Sequence, residues 1–288
     1  MKGMVFAGCS NTWGHGLWYY SGLKNIPHGD DHLNYHKEKS AYMNFKNCNR
    51  YPRLVANHFK TYDVVKFTTA GSDEVSLRFL ELLFSGEKNF NDTGWVTEER
   101  YDYGEIEYII LQTTFPDRSS VFIEHGGQTH TFCLGDHKNW TTIVNGLGSI
   151  GIESFEQFYS LLITQLISKI KTAFEFYESK GIKCILYSWT KDYVDLIKGD
   201  EFLSQRFITF SHQGKKYDYA HQIIVDYPHY QIKFDYETLG ENTPNDLHPS
   251  DKMHKIIADN IIKKIEENEK TNQLGEEVLR RQKEKERI

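Results

Sequence analysis

No run of about 18 apolar residues occurs anywhere in the 288-residue chain, which excludes an ordinary membrane-spanning helix. The opening stretch from Met1 to Gly8 is too short in apolar residues for a secretory leader, so a cytoplasmic protein is expected. Cysteine is scarce. Cys9, Cys48, Cys133 and Cys184 lie far apart without a Cys-x-x-Cys pair, a usage that favours a reducing compartment. Positive charge is also short: the formal net charge is −6, so no basic field marks the chain as a nucleic-acid binder. Neither Gly-x-Gly-x-x-Gly nor a Walker run follows the first apolar segment, which weighs against a flavodoxin-like nucleotide binder.

Aromatic residues are plentiful. They make up 14% of the chain, with 18 Tyr and 18 Phe, against a hydrophobic fraction of only 39%, so some rings are expected on binding surfaces rather than in the core. The length suits one domain with a short appendage, divided here as residues 1–265 and a charged extension, 266–288.

Apolar runs at Met4–Ala7, Asp63–Thr68, Glu107–Thr113 and Ile182–Trp189 read as buried parallel strands. Helical spacing marks Tyr51–Lys60, a helix from Asp73 capped by Ser72 or Asp73, Phe155–Tyr177 and Ser250–Ile265. The alternation of strand and helix implies right-handed crossovers, and hence an α/β, three-layer, doubly wound and mostly parallel sheet. Gly126-Gly127 between two alternating runs predicts a β-hairpin at 121–134. The aromatic-rich stretches 16–49, 86–104 and 114–150 read as loop insertions at the carboxyl ends of the strands, where they would form substrate walls.

Ser10 follows the first strand, the position at which open α/β sheets place their ligands. A serine there needs a base, and Asp246-Leu247-His248-Pro249-Ser250 offers His248 at the start of the last helix with Asp246 two residues earlier. Pro249 suits the first helical turn. Arg118, just after the third strand, could meet a substrate anion or form a surface ion pair. His28, His32 and His36 have metal-like density, but the polar flanks and Gly29 favour a loop, so no metal is expected. Cys9 is read as packing, because neighbouring side chains near a strand end point oppositely.

In the order of these blocks, Gly8-Cys9-Ser10, Thr69-Ala70-Gly71-Ser72, Gln112-Thr113-Thr114 and Asp246-Leu247-His248, the chain resembles the SGNH (GDSL-like) hydrolase family, with matching stretches spread from residue 4 to about 265. The resemblance implies a flavodoxin-like SGNH fold and a serine esterase or deacetylase acting without cofactor on an acylated small molecule or carbohydrate. It further implies Ser10 as nucleophile, His248 as base, Asp246 as its partner, and Gly71 with Gln112 or Thr114 as oxyanion or substrate-binding groups. Cys9 stands where the family carries aspartate, the Gln112–Thr114 segment where it carries asparagine, and Asn245 where it carries the acid three residues before the histidine. Similar divergent chains look like those of large tailed bacteriophages. The alternative is therefore a weak or inactive SGNH-like module that binds or builds a larger assembly, virion-associated if phage-encoded, with the charged extension as a contact for another copy or partner.

Overall fold

The computed structural model describes residues 1–8, 12, 17, 44–45, 47–65, 73–85, 100–114, 116, 120–125, 128–133, 154–231 and 248–285. Four parallel strands form the central sheet: β1 (Gly3–Ala7), β2 (Asp63–Val65), β3 (Ile106–Thr113) and β6 (Lys183–Ser188), in the order β2-β1-β3-β6. A parallel bridge from Leu186 to Phe207 begins a further row beside β6. The strands are continuous apolar runs because helices cover both faces. Val5, Ala7, Ile109, Leu111, Cys184 and Leu186 point to one side, against α2 (Asp73–Ser85) and α3 (Phe155–Ser179). Met4, Phe6, Tyr108, Ile110, Ile185 and Tyr187 point to the other, where α1 (Tyr51–His58) and α7 (Asp251–Lys285) contribute Tyr51, Val55, Met253, Ile257 and Ile261. This is the expected three-layer, doubly wound α/β architecture.

The hairpin is present as β4 (Ser120–His125) and β5 (Gln128–Cys133), with His125 opposite Gln128. Between β6 and residue 231 the chain forms α4 (Val194–Gly199), α5 (Glu201–Arg206), the hairpin β7 (Phe210–His212) and β8 (Lys215–Tyr217), and α6 (Ala220–Asp226), none of which the sequence pattern announced. These elements are only three to seven residues long, too short for periodicity to register.

One helix start differs from expectation, and a second carries a buried acid. Ser250 caps α7, its Oγ accepting from the Met253 amide at 3.3 Å, so Pro249 precedes the cap instead of occupying the first turn. Asp73 is buried at the start of α2, and its carboxylate accepts from the Thr114 amide at 2.9 Å and the Tyr193 hydroxyl at 2.6 Å. Helix α7 does not stop near Ile265. Glu266 meets His58 at 3.1 Å, and Glu269 accepts from the Tyr108 hydroxyl at 3.0 Å, so the first turn of the charged segment is tied to the domain before the helix continues to Lys285.

Candidate functional site

In a sheet of order β2-β1-β3-β6, chain connections leave β1 and β3 in opposite directions, and ligands settle in the crevice outside the carboxyl ends at that point. Gly8 continues β1 there and Gln112 nears the end of β3. A Cβ on Gly8 would lie 2.1 Å from Thr12 Oγ1 and 2.9 Å from Gln112 Cβ, so only glycine fits between Thr12 and β3 at this position. Thr12 donates to Gln112 Oε1 at 2.5 Å and accepts from the Tyr51 hydroxyl at 3.0 Å. Tyr187 donates to the same Gln112 oxygen at 3.1 Å. Thr12, Gln112, Tyr51 and Tyr187 are all fully buried, which makes this a dry node where each bond is costly to leave unmade.

Tyr51 carries the node onward to α7. Its amide donates to His254 Nδ1 at 3.3 Å, and its ring stacks on the imidazole with centroids 5.9 Å apart. That bond fixes the proton on Nε2, an atom that is buried without a hydrogen-bond partner among the described residues. Burial, together with the nearby His248 and Arg50, pushes the His254 pKa down to about 3, so the ring is neutral at ordinary pH. The entry to α7 is held by two backbone contacts: Ser250 donates its amide to the Tyr230 carbonyl at 2.7 Å, and Pro249 bridges Gln231.

The carboxyl ends of β3 and β6 form a second polar group. Thr113 Oγ1 donates to Ser188 Oγ at 2.9 Å, and Ser188 Oγ donates to the Thr190 carbonyl at 2.5 Å. Thr114 and Thr190 each bury a hydroxyl with no hydrogen-bond partner among the described residues. Burial, reinforced by the Asp73 charge, holds the Tyr193 hydroxyl far above the ordinary phenol range, keeping it a donor to that carboxylate.

Of the residues singled out in the sequence, His248, Gln112 and Thr114 lie among those described. Ser10, Asp246, Gly71 and Arg118 lie outside them, as do Cys9 and the histidines at 28, 32 and 36. Gln112 is locked into the node. Thr12, Tyr51, Asp73 and His254 were missed as site residues, since their partners are 39 to 203 residues away and leave no local pattern. His254 did leave one trace: it shares the apolar face of α7 with Ile257, Ile261 and Ile265. Among the described residues no group of three or more His, Cys, Asp or Glu could hold a metal ion, and no helix is long and apolar enough to cross a membrane.

No protein-family model and no curated protein matches the chain. Among solved structures, three chains match. One is a carbohydrate esterase whose active site is described as displaying divergent catalytic and non-catalytic binding functions; it is 12% identical with a TM-score of 0.44, and the match covers 92% of this chain. The chain spans 65% of the length of that structure.

Proposed function

We propose that the protein is a serine esterase or deacetylase that removes an acyl group from a small molecule or carbohydrate. The observation that carries this reading is the buried path from Gln112 through Thr12 and Tyr51 to His254. It joins Thr12, just past β1, and Gln112 of β3, at the β1/β3 switch point, to His254 in the first turn of α7. Gly8 and Thr12 stand two residues either side of Ser10 in the chain, and His248 stands six before His254.

In this mechanism Ser10 Oγ attacks the ester carbonyl while its proton passes to His248, and the amides of Ser10 and Gly71 hold the oxyanion. Collapse of the tetrahedral intermediate expels the alcohol, which takes its proton from His248. Water, deprotonated by the same histidine, then attacks the acyl-serine; collapse breaks the acyl–Oγ bond, Ser10 takes the proton back from His248, and the acid is released. Asp246 orients the imidazole, and Arg118 meets an anionic group on the substrate. The hydrogen bonds at Gln112 Oε1 support a positioning role for that side chain, which leaves the Thr114 hydroxyl, buried without a partner among the described residues, as the third donor.

The test is release of acetate from p-nitrophenyl acetate and from O-acetylated sugars, with Ser10→Ala and His248→Ala beside the parent. Loss of turnover in both variants supports the reading. Turnover by Ser10→Ala at the parental rate rejects it, and binding of the sugars without turnover by the parent favours the non-catalytic module.

A further inference from the structure

Tyr51 touches both halves of the proposed site with three different parts of one residue. Its hydroxyl holds Thr12, five residues past the end of β1, at 3.0 Å. Its amide holds His254 in the first turns of α7, at 3.3 Å, and its ring lies against the same imidazole. The ring is itself clamped edge-on by Phe6 of β1 and Tyr187 of β6, at 5.8 and 5.9 Å, and is fully buried, so it has no room to adopt another rotamer. Tyr51 opens α1, where Arg50 bonds Asp63 of β2 at 3.0 Å, which ties the start of the helix to the sheet.

We infer that Tyr51 is a positioning residue that sets the spacing between Thr12 and the start of α7, and through it the approach of His248 to Ser10. The inference rests on reading that serine and histidine as a pair. A residue that merely filled the core would lower stability when altered. A spacer lowers the rate of the chemical step while substrate binding stays as it was, because a small misplacement of reacting groups costs rate steeply. Thr12 supplies the link to β3, since its single proton is committed to Gln112 and its oxygen is left to accept from Tyr51.

Tyr51→Phe keeps the ring and the amide and removes only the hydroxyl. The expected result is a kcat roughly ten-fold lower with KM within about two-fold of the parent, since a sub-ångström drift forfeits part of the orientation effect. Amide hydrogen exchange, followed by mass spectrometry on the same variant, is expected to quicken in the 8–12 and 248–254 peptides together. Parental kcat with a lowered melting temperature reduces Tyr51 to a core residue and overturns the inference. So does unchanged exchange in either peptide. If the parent turns over no ester, the catalytic reading falls, and the exchange experiment still decides whether Tyr51 couples the two peptides.

Discussion

Replacing Gly8 with alanine puts a methyl group into space that is already filled. The new Cβ would lie 2.1 Å from Thr12 Oγ1, 2.9 Å from Gln112 Cβ and 3.1 Å from Gln112 Oε1. Both neighbours are fully buried side chains, so neither can swing into solvent. Relief requires Thr12 to rotate away from Gln112 and Tyr51, or Gly8 to move away from β3, and either movement strains hydrogen bonds in a buried site. Overpacking of this kind costs about 1–3 kcal/mol, and stranding a buried hydroxyl costs a similar amount, giving roughly 2–4 kcal/mol once the overlap is allowed for. A chain of this size loses about 2–4 °C of Tm per kcal/mol, so the melting temperature should fall by roughly 5–15 °C. Urea titration and thermal melting read both quantities. Gly104→Ala and Gly199→Ala serve as controls, because a Cβ at either position meets nothing within 4 Å. A Gly8→Ala protein within about 0.5 kcal/mol of the parent, the range of ordinary surface changes, refutes the close approach of Gly8 to Thr12 and Gln112.

Two further outcomes follow from buried charge. The native pKa of His254 lies near 3, below that of an unfolded histidine, so the unfolded chain binds a proton that the native state refuses as pH falls. Stability is therefore lost progressively below an unfolded pKa of about 6.5, by roughly 2 kcal/mol from this group between pH 7 and pH 5. Urea midpoints across that range should show the loss in the parent, and His254→Asn, which keeps an acceptor for the Tyr51 amide, should remove this component; an identical pH slope in the variant contradicts it. Asp63, fully buried, faces Arg50 at 3.0 Å and Arg53 at 2.5 Å. Asp63→Asn removes the carboxylate that faces the largely buried Arg50 guanidinium and should cost about 3 kcal/mol in urea unfolding, a loss that Asp63→Glu partly spares.

The parts of the fold legible in the sequence were those with long apolar runs or stripes. Tyr108–Leu111 and Cys184–Leu186 read as strands because both faces of a doubly wound sheet are covered, and α3 read as a helix because its apolar stripe is 25 residues long. The end of α7 was harder. Its apolar face stops at Ile265, while the helix is carried on by Glu266 and Glu269 reaching His58 and Tyr108, and then by i,i+4 pairs such as Arg280 with Glu284. The site was legible only in outline. Glycine and serine after β1 and histidine before α7 mark positions along the chain, whereas the buried bonds at this edge run through Gln112, Thr12, Tyr51 and His254. A hydroxyl or an imidazole becomes a linchpin through its distant partner, and that partner is chosen by the completed fold. Asp73 illustrates the same limit: an acid at a helix start signals a cap, and only the packed structure shows its carboxylate bonded to Thr114 and Tyr193.

The proposed chemistry stands or falls on Ser10. Incubation with a fluorophosphonate, which phosphonylates an activated serine, followed by peptide mass spectrometry, reads its reactivity without a guess at the natural substrate. A single adduct on Ser10, absent from His248→Ala and slowed in Tyr51→Phe, is the predicted result. An unmodified Ser10 in the folded parent, or an adduct that forms equally fast when His248 is replaced, would contradict the account.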